Sequence, residues 1–125
     1  MNPKEALRLA FEELAPYSER HAWEFHSNLK HIEFISSHVP QHASILDVGS
    51  GMGIMALALT KLGYTVDGLD KYIFLPETYI SLGAEALEQI RAVWKKNNIR
   101  IFDFDISDYQ AEIPYDCVMN IAVIE

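Results

Sequence analysis

The chain contains a single cysteine, Cys117, and sets only 10 lysines and arginines against 18 aspartates and glutamates. One cysteine closes no disulfide within the chain, so a disulfide scaffold is excluded, and a lone thiol suits a reducing cytoplasm. The shortage of basic residues leaves a formal net charge of −8. That balance argues against a nucleic-acid partner, because neutralising phosphates takes clustered Lys and Arg. No apolar run approaches about 18 residues, so no transmembrane helix and no membrane partner is expected. The N-terminus, Met1-Asn2-Pro3-Lys4-Glu5, lacks the apolar core of a signal peptide. No internal repeat or low-complexity stretch is visible. The remainder, 50% hydrophobic and 22% charged over 125 residues, is the composition of one globular core rather than of a disordered chain.

Two parts are legible. Residues 1–42 read as an N-terminal helical lid or flank, and residues 43–125 as a strand–helix series. Asn2 caps a first helix with Pro3 in its first position, and Ala6, Leu7, Ala10, Phe11 and Leu14 recur at helical spacing. Pro16 stops it. Ser18 reads as the N-cap of a second helix with Ala22, Phe25, Leu29, Ile32 and Ile35 on its apolar stripe, ended by Pro40. From Ala43 the period changes. Ser44 to Val48 reads as a buried parallel strand, Met52 to Leu62 as a helix with Gly63 just beyond it, and Tyr64 to Leu69 as a second strand. Gly83 to Lys96 is a helix with Leu87, Ile90 and Trp94 on one face; Ile99 to Phe104 and Asp116 to Val123 are strands. Strands alternating with helices imply βαβ units, hence an α/β fold with a parallel sheet.

The most informative stretch is Asp47-Val48-Gly49-Ser50-Gly51-Met52-Gly53, at a strand-to-helix turn. Gly49 permits a tight turn, Gly51 lets a ligand approach bare backbone, and Gly53 permits close packing in the first helical turn. The dinucleotide fingerprint G-x-G-x-x-G is not met, because Ile54 stands where its last glycine belongs. Asp47 would repel a pyrophosphate and attract an ammonium group. The pattern therefore points to an amino-acid nucleoside. Asp70, at the end of the second strand and 17 residues after Gly53, is placed to accept ribose hydroxyls. A carboxylate near the end of the third strand, Asp105 with Asp103 and Asp108 as neighbours, could accept from an adenine amino group while the next backbone N–H donates to the ring.

These motifs, Ile45 to Asp70, then Asp105-Ile106, then Pro114 to Asn120, resemble the class I (Rossmann-like) S-adenosylmethionine-dependent methyltransferases. The resemblance covers roughly Ala43 to Glu125. It implies a Rossmann-like three-layer sandwich, here with a partial sheet of order 3-2-1-4 and two N-terminal helices. It implies S-adenosyl-L-methionine as cofactor, held by Asp47, Gly49, Ser50, Gly51, Gly53, Asp70, Lys71, Asp105, Ile106 and Asn120. Family members carry seven strands, so the resemblance also implies a domain truncated after its fourth strand, without the segments that carry much of the substrate pocket.

The expected reaction is methyl transfer to an acceptor taken as a small molecule, since no basic appendage suggests RNA or DNA. No general base is identified. A non-catalytic nucleotide-binding or interaction module, and an aminopropyltransferase of the same fold, are the alternatives. Tyr17, Trp23 and Phe25 are either core aromatics or a lid over the cofactor. The spacing of His21, His26 and His31 drifts around a helix, and His38 and His42 straddle Pro40, so the five do not converge as metal ligands need to and no metal is expected. Within the fourth strand the run Cys117 to Val123 has no charge and no proline, and either a homodimer through that unprotected edge or marginal solubility is expected.

Overall fold

The computed structural model describes residues 1–71, 83–103, 107, 109–110 and 114–121. Helix α1 (Pro3–Glu13) begins as its sequence dictates: the Asn2 side chain accepts the Glu5 N–H at 2.8 Å, and Ala6, Leu7 and Ala10 are buried. The second helical stretch departs from expectation. It divides into a 3-10 helix, Tyr17–Glu24, and helix α2, Phe25–His38, whose N-cap Glu24 makes no side-chain capping bond. Ser18 is not a cap. It is buried, its N–H bonds the Leu14 carbonyl at 3.1 Å, and its hydroxyl donates to the Phe11 carbonyl at 2.5 Å. Both ties hold the chain against α1 in tight turns, so α-helix resumes only at Phe25.

Strand β1 (Ser44–Val48) leads through the glycine turn into helix α3 (Ile54–Lys61), and β2 (Thr65–Leu69) follows. Helix α4 (Ala84–Lys96), β3 (Arg100–Phe102) and β4 (Cys117–Asn120) complete the order. The strands form one parallel sheet, β3-β2-β1-β4, as expected from the sequence. The register pairs Asp47 with Gly68 on one side and with Met119 on the other.

Side chains alternate across the pleat. Ile45, Val66 and Met119 join Leu7, Leu14, Ile32, Leu57, Ile90 and Trp94 in the main core, so the helices cover one face of the sheet. Residues Ile54 to Leu59 of α3 are all buried, because that helix lies between the sheet and α1. The opposite face carries a smaller cluster of Leu46, Val48 and Leu69 with Phe102, Tyr109 and Tyr115. Of the N-terminal aromatics, Tyr17 and Phe25 pack against the main core, whereas Trp23 is 81% exposed. Among the described residues, no helix is long and apolar enough to cross a membrane.

Candidate functional site

The carboxyl ends of β1 and β2 lie side by side, and the chain leaving β1 must turn sharply into α3. Gly49, Gly51 and Gly53 all take left-handed backbone angles, with φ of 77°, 57° and 90°. Side chains beyond glycine rarely accept such angles. The turn is tied to β2: the Gly49 and Ser50 N–H groups donate to the Leu69 carbonyl at 2.7 and 3.2 Å, and the Gly51 N–H donates to the Asp70 carboxylate at 2.7 Å. Among the described residues, a Cβ on Gly51 would meet nothing within 4 Å, so that side of the turn is open for a ligand. A Cβ on Gly53 would lie 2.8 Å from Trp94 Nε1, so the close packing there is with α4.

Asp47 and Asp70 are both buried, 4% and 8% exposed. Burial first, and the charge of Asp70 second, push the Asp47 carboxyl up to about 7. Its ionised form therefore sits in a place suited to a cation. Asp67, on the opposite side of the pleat, is satisfied differently. It accepts Arg100 through both oxygens at 3.0 and 2.8 Å and the Tyr115 hydroxyl at 2.6 Å, and Tyr115 in turn meets Tyr109 at 2.9 Å. Burial, then the bond to Asp67, holds the Tyr115 phenol above its ordinary range. Asp67 is thus the acid that anchors the segment before β4, a role nothing in its sequence context marks.

The structure brings together Asp47, Gly49, Ser50, Gly51, Gly53 and Asp70, with half-buried Lys71 directly after. Ser50 turns its hydroxyl inward: a Cβ on Gly68 would come within 2.5 Å of Ser50 Oγ, and that buried oxygen has no hydrogen-bond partner among the described residues. Gly68 is a positional requirement that sequence reading missed. The signal for it was a glycine inside a strand, which marks a close approach of another segment. Asn120 is exposed and pairs with Val48, so it shares the face of the small cluster, and Met119 is the β4 residue on the face of Asp47. Asp105 and Ile106 lie outside the described residues, as does Asp108. Among the described residues, no three His, Cys, Asp or Glu side chains group to hold a metal ion.

No family model matches the chain. In sequence it is similar to a ubiquinone biosynthesis O-methyltransferase of Rickettsia akari (strain Hartford), 31% identical over 99 residues, which are 75% of this chain and 35% of that protein. The chain thus spans about a third of the length of that curated relative. In structure it is similar to coclaurine N-methyltransferase bound to N-methylheliamine and SAH, with a TM-score of 0.53 and 15% identity over 74% of this chain and 26% of that one. At that identity the likeness is one of fold.

Proposed function

We propose, from the premise that the chain has the class I (Rossmann-like) S-adenosylmethionine-dependent methyltransferase fold, that it binds S-adenosyl-L-methionine at the ends of β1 and β2 and serves methyl transfer to a small-molecule acceptor. One observation carries the reading: two buried carboxylates flank a glycine turn whose middle glycine has open space beside it among the described residues. The donor set fits the cofactor. Asp47 would hold its ammonium group, and the turn at Gly49 to Gly53 would lie against its backbone-facing side. Asp70, which also accepts the Gly51 N–H, would accept the ribose hydroxyls. The Ser50 hydroxyl, without a partner among the described residues, supports a polar occupant nearby, since an unmet buried hydroxyl costs about 1–3 kcal/mol. Asp105 and Ile106 are proposed for the adenine, and Lys71 and Asn120 as flanking contacts.

When bound, S-adenosylmethionine supplies a methyl group already activated by the positive sulfonium. The chain's own contribution is orientation and exclusion of water. Positioning of that kind is worth up to about 7–11 kcal/mol in well-aligned reactions. The relatives' names support methyl transfer to small molecules in general. Calorimetric titration with SAH (S-adenosylhomocysteine) tests the binding half of the reading; micromolar affinity supports it, and no heat at millimolar ligand refutes it. Transfer of labelled methyl from S-adenosylmethionine to candidate small acceptors tests the rest.

A further inference from the structure

Trp94 lies on α4, 42 residues beyond the glycine turn in sequence, yet its indole N–H donates to the Met52 carbonyl at 2.7 Å. The ring is 5% exposed, and its Nε1 occupies the space that a Cβ on Gly53 would need. Met52 is the one residue of the Gly51-Met52-Gly53 run with a side chain, and it is itself buried. The turn is therefore clamped from two sides. Asp70 takes the Gly51 N–H from the end of β2, and Trp94 takes the Met52 carbonyl from α4.

We propose that Trp94 is a positioning residue for ligand binding at the glycine turn: its indole N–H sets the peptide plane between Met52 and Gly53, and so the attitude of the Gly51 backbone toward the ligand. The inference rests on the cofactor reading above, and it goes beyond it by making α4 part of the binding apparatus. A glycine-rich turn has few side-chain contacts to hold its shape, so each backbone hydrogen bond into it restricts angles that glycine would otherwise leave free. The bond also joins a buried donor to a buried acceptor, where replacing one partner leaves the other unsatisfied. Trp94 does not need to touch the ligand. It acts through Met52 and Gly53.

The test compares Trp94→Phe, which keeps an aromatic ring and loses the N–H, with Ile90→Val, a core change on the same helix that removes no hydrogen bond. Both lower the melting temperature. Only Trp94→Phe is expected to weaken SAH binding in calorimetry, by about tenfold. Equal affinity in the two variants would overturn the inference. A second readout uses the unaltered protein, should Trp94→Phe fail to fold. The sequence has two tryptophans, and Trp23 is 81% exposed, so the two indole N–H resonances are separable by solvent exchange. Addition of SAH is expected to shift the protected resonance of Trp94 and leave that of Trp23 in place. SAH that binds with no shift at Trp94 overturns the proposal. If the unaltered protein binds no SAH, the cofactor reading itself fails, and the hold of Trp94 on the turn is read from amide exchange at Gly51 and Gly53. Faster exchange there in Trp94→Phe than in Ile90→Val sustains the hold, and equal exchange removes it.

Discussion

Asp70 Oδ2 accepts the Gly51 N–H at 2.7 Å, although the two residues stand 19 positions apart. A carboxylate to backbone N–H bond is charge-assisted and stronger than a neutral one. Asp70 thereby serves the site twice, shaping the turn and facing the proposed ribose. Asp70→Ala is expected to weaken SAH binding by roughly tenfold to a hundredfold, the equivalent of losing about 1.5–3 kcal/mol of hydrogen bonding to a charged group. Unchanged affinity by calorimetry would remove Asp70 from the site.

The buried Asp47 carboxyl makes both binding and stability respond to pH. Its folded-state pKa, about 7, is raised above the ordinary 3.8 by burial and then by Asp70. The native state therefore keeps a proton that the unfolded chain has released. The associated stability is present below the ordinary value and is lost as pH rises through about 7. Asp47→Asn removes this dependence. In urea titrations it should gain on the unaltered protein as pH rises from about 5 to about 8, by on the order of 2–4 kcal/mol at the upper end. Binding runs the other way. An ammonium group favours ionised Asp47, so SAH affinity should strengthen across the same interval, with a proton released on binding below about pH 7. Asp47→Asn should flatten that profile and weaken affinity throughout. A flat profile in the unaltered protein would take the ammonium away from Asp47.

Gly51 separates fold from ligand. Its φ of 57° disfavours a side chain, but a Cβ there meets nothing within 4 Å among the described residues. Gly51→Val should therefore cost about 1–2 kcal/mol of backbone strain and leave the fold in place. The added side chain fills the open space beside the turn, so SAH binding should disappear. Gly68→Ala makes the contrasting case, because its Cβ would strike Ser50 Oγ at 2.5 Å and Ile101 Cδ1 at 2.6 Å. That variant should lose stability first. Circular dichroism melts run beside calorimetry distinguish the two patterns.

Among the described residues, β4 pairs with β1 alone, and Val118 on it is 60% exposed. Uncharged edge strands are templates for pairing with another chain. The 125-residue chain is expected to self-associate through this strand, and sedimentation velocity should show a concentration-dependent shift to dimer. Val118→Lys places a charge on the exposed position and should weaken association while leaving the melting temperature within about 0.5 kcal/mol of equivalent stability. A monomer at all concentrations, with slow amide exchange along Cys117–Asn120, would show that the edge is already covered.

The amino-acid sequence by itself determined most of the described elements and their order, though not the 3-10 stretch Tyr17–Glu24. Asn2 and Pro3 start α1, the apolar run Ile45 to Val48 makes a buried strand, and Gly49, Gly51 and Gly53 mark the turn, because capping, hydrophobic period and left-handed angles are local requirements. The sheet order 3-2-1-4 was legible through the resemblance that those motifs carry. What local pattern cannot encode is which distant groups meet. Ser18 looks like a cap in sequence, and only packing against α1 turned its hydroxyl to Phe11. Trp94 reads as one more apolar residue of an amphipathic helix, and tertiary structure alone delivered its N–H to Met52. Asp67 lies in the middle of β2 and Asp70 directly after it, three residues apart in sequence. The fold gave the first to Arg100 and Tyr115 on one side of the pleat and the second to the glycine turn at the strand's carboxyl end. Hydrogen bonds and burial depend on what lies across and beside the sheet, so the partners of each acid were decided only by which strands and which turn came to lie next to them.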